Sequence, residues 1–241
     1  MKTGKNAPRA RETAKTRTAP AIDHQLLGSL RDWIAQGRLP ELNPTQQDRS
    51  LRTALAMIEA GRTLLRDRSL EDLSVEAVCR AAGTTVGAFY GRFENKQAFF
   101  LTMERVQTMQ SEAVLADFAA RHVIGKTRLD DLCQDMVHLT VQGFRSNVGV
   151  LRAALQHTKE GMWDLFKASG DRYRAALTVR MKPLLTHLPP KERELRILFA
   201  YQALAGTLVH ATLNNPGPLL LEDEALITEL ARMVKTYLKA P

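Results

Sequence analysis

Two cysteines in 241 residues, Cys79 and Cys133, are too few and too far apart in sequence to form a disulfide framework. Both fall in amphipathic helical patterns, which points to reduced thiols and a cytoplasmic setting. No apolar run approaches the roughly 20 residues that a bilayer-spanning helix needs. No apolar core follows the basic N-terminus, so neither a membrane anchor nor a secretory leader is expected. Strand-like alternation persists nowhere. A Gly-rich phosphate loop, a nucleophile elbow and an HExxH zinc motif are all missing. His122, His138, His157, His187 and His210 show no compact metal-ligand spacing. The pattern excludes the common catalytic constellations and predicts an all-α chain with no catalytic residue, no metal and no cofactor. A hydrophobic share of 44% is ordinary for a globular protein of one large or two small domains.

What is present is concentrated in residues 74–96, SVEAVCRAAGTTVGAFYGRFENK. Ser74 is a good N-cap, and Val75, Val78, Cys79 and Ala82 follow at helical spacing. Gly83 supplies a residue able to leave the helix with positive φ. Thr84 or Thr85 caps the next helix, expected over 85–93, where Val86, Phe89 and Phe93 form an apolar stripe. Its other face carries Thr85, Gly87, Ala88, Gly91 and Arg92, which are small or polar with one cation. A helix lying in a major groove needs such a face, because bulky groups would hold it off the base edges. Asn95 caps a further helix that opens with Lys96, and a bound phosphate would relieve the conflict of that cation with the helix dipole.

This stretch resembles the DNA-binding domain of the TetR family of bacterial transcription regulators. The resemblance runs from about Arg49 to Met109 and is densest at Val78, Ala82, Gly83, Thr85, Gly87, Phe89, Tyr90, Phe93 and Lys96. Thr84 stands where the family usually has an aliphatic residue, Ala88 where Thr is frequent and Arg92 where His is frequent, which leaves base contacts at Ala88 and Arg92 open. The resemblance implies a three-helix helix–turn–helix domain over 48–109, with the motif at 74–93. A basic disordered tail and short linker helix precede it over 1–47, and a helical effector-binding and dimerisation domain follows over 110–241. Ser74, Thr84, Thr85, Val86, Gly87, Ala88, Tyr90, Arg92 and Lys96 form the expected DNA-contact set. Tyr90 would pack its ring and offer its hydroxyl to a phosphate, Val86 and Ala88 either touch thymine methyls or pack, and Arg92 faces a phosphate more readily than a guanine.

Of the net charge of +8, most sits in residues 1–20, where Lys2, Lys5, Arg9, Arg11, Lys15 and Arg17 stand against Glu12. That segment is too poor in apolar groups to offset its ordering entropy. It is an arm that tracks DNA, a solvated tail or, against the bacterial-type motif downstream, an organelle transit peptide. Residues 22–36 read as a short amphipathic helix that packs on the DNA-binding domain, on a partner subunit, or only loosely. Arg49 and Arg52, in a helix over 48–67, either reach phosphates or line a solvated face. Cys79 reads as a packing residue. From residue 127 onward the chain is helical in pattern, broken at Pro189-Pro190 and at Pro216-Gly217-Pro218.

In the C-terminal part, the resemblance implies that Met136, Phe144, Met162, Trp163, Phe166 and Tyr173 include residues lining an effector cavity. It also implies a dimer surface on the last two helices, with Leu195, Leu198, Phe199, Ala203, Gly206, Val209, Leu213, Leu230, Met233, Val234 and Tyr237 as its candidates. The expected partners are double-stranded operator DNA, a second copy of the chain and an unknown small-molecule effector, with no membrane. The resulting expectation is a ligand-responsive repressor that acts as a dimer on a palindromic operator. An activator of the same fold and an interaction or scaffold protein without a DNA role are the alternatives.

Overall fold

Ten α-helices carry the described residues of the computed structural model, which are 24–43, 47–157 and 162–241. They are α1 (His24–Ala35), α2 (Asp48–Leu65), α3 (Val75–Ala82), α4 (Val86–Tyr90), α5 (Lys96–Arg121), α6 (Leu129–Ser146), α7 (Val148–Gln156), α8 (Asp164–Met181), α9 (Pro190–Asn214) and α10 (Glu224–Lys239). Their order follows the apolar periodicity of the sequence, and no strand occurs among the described residues. The expected disordered arm at residues 1–20 lies outside the described residues.

Local chemistry sets the helix ends. The Ser74, Thr85 and Asn95 side chains accept hydrogen bonds from the backbone N–H of Ala77, Ala88 and Ala98, at 3.1, 3.1 and 2.8 Å. Gly83 ends α3 at φ 64°, a left-handed conformation that costs a Cβ-bearing residue energy. Pro190 opens α9 at a position whose N–H has no helical partner to lose.

The apolar side chains gather into two clusters. The first joins α1 to α4, the N-terminal half of α5, α7 and Met162. The second joins the end of α5 at Phe118 with α6, the second half of α8, α9 and α10. α5, at 26 residues, serves both. Packing therefore crosses the expected boundary at 109/110, because Val150, Ala153 and Ala154 of α7 are buried in the first cluster.

The segment before the helix–turn–helix is part of that cluster. Leu27, Leu30, Leu39 and Leu42 are buried in it. Arg105 grips Glu41 through Nε at 2.9 and 2.8 Å, and Arg38 reaches Glu112 at 2.6 Å, so the chain after α1 is fastened along α5. Of residues 22–36, the described ones, 24–36, pack against the DNA-binding domain, one of the three placements left open.

Candidate nucleic-acid interface

α4 is shorter than the 85–93 expected from sequence, ending at Tyr90. The cause lies outside the motif. Leu42 pairs with Phe93 in an isolated antiparallel bridge, the Asn43 N–H donates to the Arg92 carbonyl at 2.8 Å, and the Asn43 amide donates to the Gly91 carbonyl at 3.2 Å. Backbone that would have continued the helix is spent on the N-terminal segment instead.

Beneath α4, Phe89, Phe93 and Phe99 are buried with mutual ring separations of 5.0 to 5.3 Å, and they fix the helix from inside. Above it, Gly87 and Thr85 are exposed, Thr84 and Ala88 half-exposed, and Val86 projects with 37% of its surface free. Tyr90 is 53% exposed, its ring edge against Phe89 at 5.4 Å. Ser74 sits exposed at the N-terminus of α3. A shallow depression of about 390 Å³ separates the turn from the start of α2, lined by Gln47, Arg49, Ser50, Thr53, Gly83, Thr84, Thr85, Ala88 and Arg92. Both flanks of the projecting helix thus carry polar groups able to meet a phosphate backbone.

Two of the expected DNA contacts are engaged within the protein. Arg92 donates from Nε and Nη2 to the carbonyl and hydroxyl of Ser50, at 3.1 and 2.8 Å, and from Nη1 to the Ala88 carbonyl at 2.9 Å. It clamps α4 to α2. Lys96 donates to the carbonyls of Leu70 and Glu71, at 2.9 and 3.2 Å, holding the turn that leads into α3. The carbonyls meet the need for an anion that the helix-dipole argument had assigned to phosphate. Ser50 and Asn43 were not legible as parts of this surface, because their partners lie more than 40 residues away.

The family model described as bacterial regulatory proteins, tetR family, matches residues 57–103, and the tetracyclin repressor-like C-terminal domain matches residues 129–238. Together they span more than half of the chain. The chain belongs to the TetR family.

Curated relatives of this TetR-family chain are transcriptional regulators. The HTH-type transcriptional regulator EthR of Mycobacterium tuberculosis is 26% identical over 148 residues, 59% of this chain and 68% of EthR. The HTH-type regulator YwcC of Bacillus subtilis is 33% identical over 86 residues, 35% of this chain and 39% of YwcC. A regulator structure from Aquifex aeolicus superposes with a TM-score of 0.54 at 15% identity, covering 78% of this chain and 98% of the other. One from Streptomyces coelicolor gives 0.54 at 17%, covering 77% and 78%. At these identities the structures establish the TetR fold. The protein is a TetR-family transcriptional regulator with a helix–turn–helix DNA-binding domain.

The six expected effector residues divide between the two clusters. Met162, Trp163 and Phe166 pack with the first cluster, while Met136, Phe144 and Tyr173 pack with the second. The Tyr173 hydroxyl donates to the Met136 carbonyl at 3.4 Å, and burial pushes its pKa up. Helical period showed which residues face inward but not which core they enter.

The expected dimer residues also divide. Leu195, Phe199, Gly206, Leu213 and Met233 are exposed, with Leu198, Ala203, Val209 and Tyr237 half-buried. Phe199 and Tyr237 join α9 to α10 across 5.5 Å, and Arg196 lies over the Tyr237 ring at 5.3 Å. Leu230 and Val234 are a correction. They are buried inside the second cluster, while neighbouring Met233 is exposed at the edge of the same apolar face, and they have no surface to offer a second copy. Cys79 and Cys133 are free and buried, and the Cys79 thiol donates to the Thr85 carbonyl at 3.4 Å.

Proposed function

We propose that this TetR-family regulator is a repressor that occupies a near-palindromic operator as a homodimer and releases it when a small molecule binds among its C-terminal helices. The observation that carries the reading is the face of α4, where small and polar residues flank projecting Val86 and Tyr90 over a rigid phenylalanine base. Such a face fits a major groove, and two copies would set their α4 helices about 34–36 Å apart on successive grooves. A second copy is supplied by the apolar strip of Leu195, Phe199, Gly206, Leu213 and Met233, which the monomer leaves exposed. An effector that binds better to the conformation with the wrong spacing would lower operator occupancy by its differential affinity. A gel-shift titration against the DNA upstream of the protein's own gene, with sedimentation of the complex, tests this. Two protomers per site and transcription that rises when the protein is deleted are expected. A monomeric complex, or transcription that falls on deletion, would sink it.

A further inference from the structure

The middle of α5 carries three polar side chains where the fold should be apolar. Glu104 is 0% exposed, Gln107 4% and Thr108 8%. Both carboxylate oxygens of Glu104, the amide oxygen of Gln107 and the hydroxyl of Thr108 are buried without a hydrogen-bond partner. Their spacing of three and four residues puts them on one face of the helix. The nearest cation in sequence, Arg105, is committed to Glu41 through the paired bonds described above. A buried carboxylate that lacks a partner is costly, and the cost is removed by a donor that brings positive charge. Burial, opposed by Arg105 and helped by the Glu41 carboxylate, holds Glu104 up to a pKa of about 8.

An opening lies on this side of α5, toward its N-terminus. Gln97 lies on the same side of α5, two turns or about 10 Å before Glu104. It borders an open depression of about 350 Å³ lined also by Leu70, Glu71, Lys96, His157 and Met162. Beside Met162, the half-buried rings of Trp163 and Phe166 stand 5.4 Å apart at the start of α8. None of the described residues of α8 before Leu177 is buried, although α8 packs along α5. That half of α8 lies on α5 with only half-buried apolar side chains, Phe166 and Tyr173 among them.

We propose that Glu104, Gln107 and Thr108 form the recognition site for an organic cation with a protonated amine and an apolar body, admitted between α5 and the start of α8. The amine supplies N–H donors to the acceptor cluster, and the apolar body meets Met162, Trp163 and Phe166, whose rings also attract cations. The proposal rests on the reading of the protein as effector-controlled and names the effector's chemical class. It also places the site next to the helix–turn–helix. The mouth residues Lys96 and Glu71 are those that hold the turn before α3, and His157, just past the end of α7, meets the Glu71 carboxylate at 2.8 Å. Movement of α5 at Glu104 would therefore reach that turn through Lys96.

The test compares three probes of equal shape and different charge, 4-phenylbutylamine, 4-phenylbutanol and 4-phenylbutyrate, by calorimetric titration into the full chain. The amine should bind at least tenfold more tightly than the alcohol, with the carboxylate weakest. Glu104→Gln should reduce amine affinity to that of the alcohol, and Thr108→Val should weaken it severalfold while keeping wild-type helicity. Equal affinity for all three probes, binding of none, or amine binding unchanged in both variants overturns the proposal. The same probes are added to the gel shift. Glu104-dependent amine binding that leaves the DNA complex intact upholds the site and defeats effector control. Release of DNA by the alcohol or carboxylate alone upholds effector control and defeats the cation site.

Discussion

A Cβ placed on Gly149 would lie 2.3 Å from both the carbonyl carbon and the carbonyl oxygen of Leu65. The start of α7 is thus pressed on the backbone at the end of α2, with no room for even a methyl group. Flanking bonds fix the same junction. Arg62 donates to Asn147 at 2.6 Å and to Gln110 at 3.1 Å, and Arg152 donates to the Arg66 carbonyl at 3.3 Å. Because the obstacle is backbone rather than a rotatable side chain, Gly149→Ala must separate the two helices. The expected loss is about 1–3 kcal/mol, the usual cost of overpacking, and it should appear in thermal unfolding as a Tm lower by several degrees. Faster amide exchange at the end of α2 should accompany it. A variant with wild-type Tm and exchange would mean that this junction is looser than its geometry.

Tyr90→Phe keeps the ring against Phe89 and removes only the exposed hydroxyl. Stability should stay unchanged. Operator affinity should fall roughly three- to tenfold, the worth of one hydrogen bond of ordinary strength. Since phosphate contacts carry little sequence information, the loss should be similar across operator variants. Fluorescence anisotropy at fixed salt reads it. A loss confined to one operator variant would instead make Tyr90 a base reader.

Lys96→Ala removes the donor shared by the Leu70 and Glu71 carbonyls. Stability should drop by about 1–3 kcal/mol, and amide exchange in residues 70–78 should quicken. DNA affinity should fall with it, because the turn sets the entry of α3. Reduced affinity with unchanged exchange would show that the ammonium leaves those carbonyls for a phosphate on binding.

The burial of Glu104 gives a pH signature. Its carboxyl is raised to about 8 from an ordinary value of 4.5, so between these values the folded state holds a proton that the unfolded state has lost. The stability this group allows is full below about pH 4.5 and declines as pH rises through about 8. Glu104→Gln, which cannot ionise, should match the wild type in acid and exceed it at pH 8 by roughly 5 °C in Tm. Parallel pH profiles for the two proteins would place the carboxylate in contact with water or a cation.

Much of the helix–turn–helix was legible because its signals are local. Ser74, Gly83, Thr85 and Asn95 act on backbone within three residues, and Phe89 and Phe93 declare the inner face by their spacing. The ends of α4 were not legible, since Leu42 and Asn43 terminate it from a distant segment. Arg92 and Lys96 read as free cations for the same reason, as nothing near them in sequence announces Ser50 or the Leu70 carbonyl. Glu104 was missed because a glutamate in a helix is ordinarily a surface residue. Here α5 is enclosed by packing on several sides, and polar residues share its burial. On α10 the difficulty ran the other way. Leu230, Met233 and Val234 share one apolar face by their spacing, so period alone could not separate the core residues Leu230 and Val234 from Met233 at its exposed edge.

Gly206 decides whether the exposed strip on α9 is a dimer surface. It is exposed, and a Cβ built on it meets no heavy atom within 4 Å, so a single protomer has room for any side chain there. Gly206→Arg should therefore fold, with a gain in helical propensity because arginine favours helix over glycine. In a dimer packed through Leu195, Phe199, Ala203 and Gly206, the same arginine would hold the facing helices apart and bury a charge without a partner. Sedimentation should show a helical monomer where the wild type is a dimer. Operator affinity should fall by at least a hundredfold, since each protomer would then hold a half-site without the effective concentration its linked neighbour supplies. Near-ultraviolet circular dichroism like that of the wild type would confirm that the fold is intact. A Gly206→Arg protein that remains dimeric and binds DNA normally would move the interface off this strip, and the exposed Leu195 and Phe199 would need another partner.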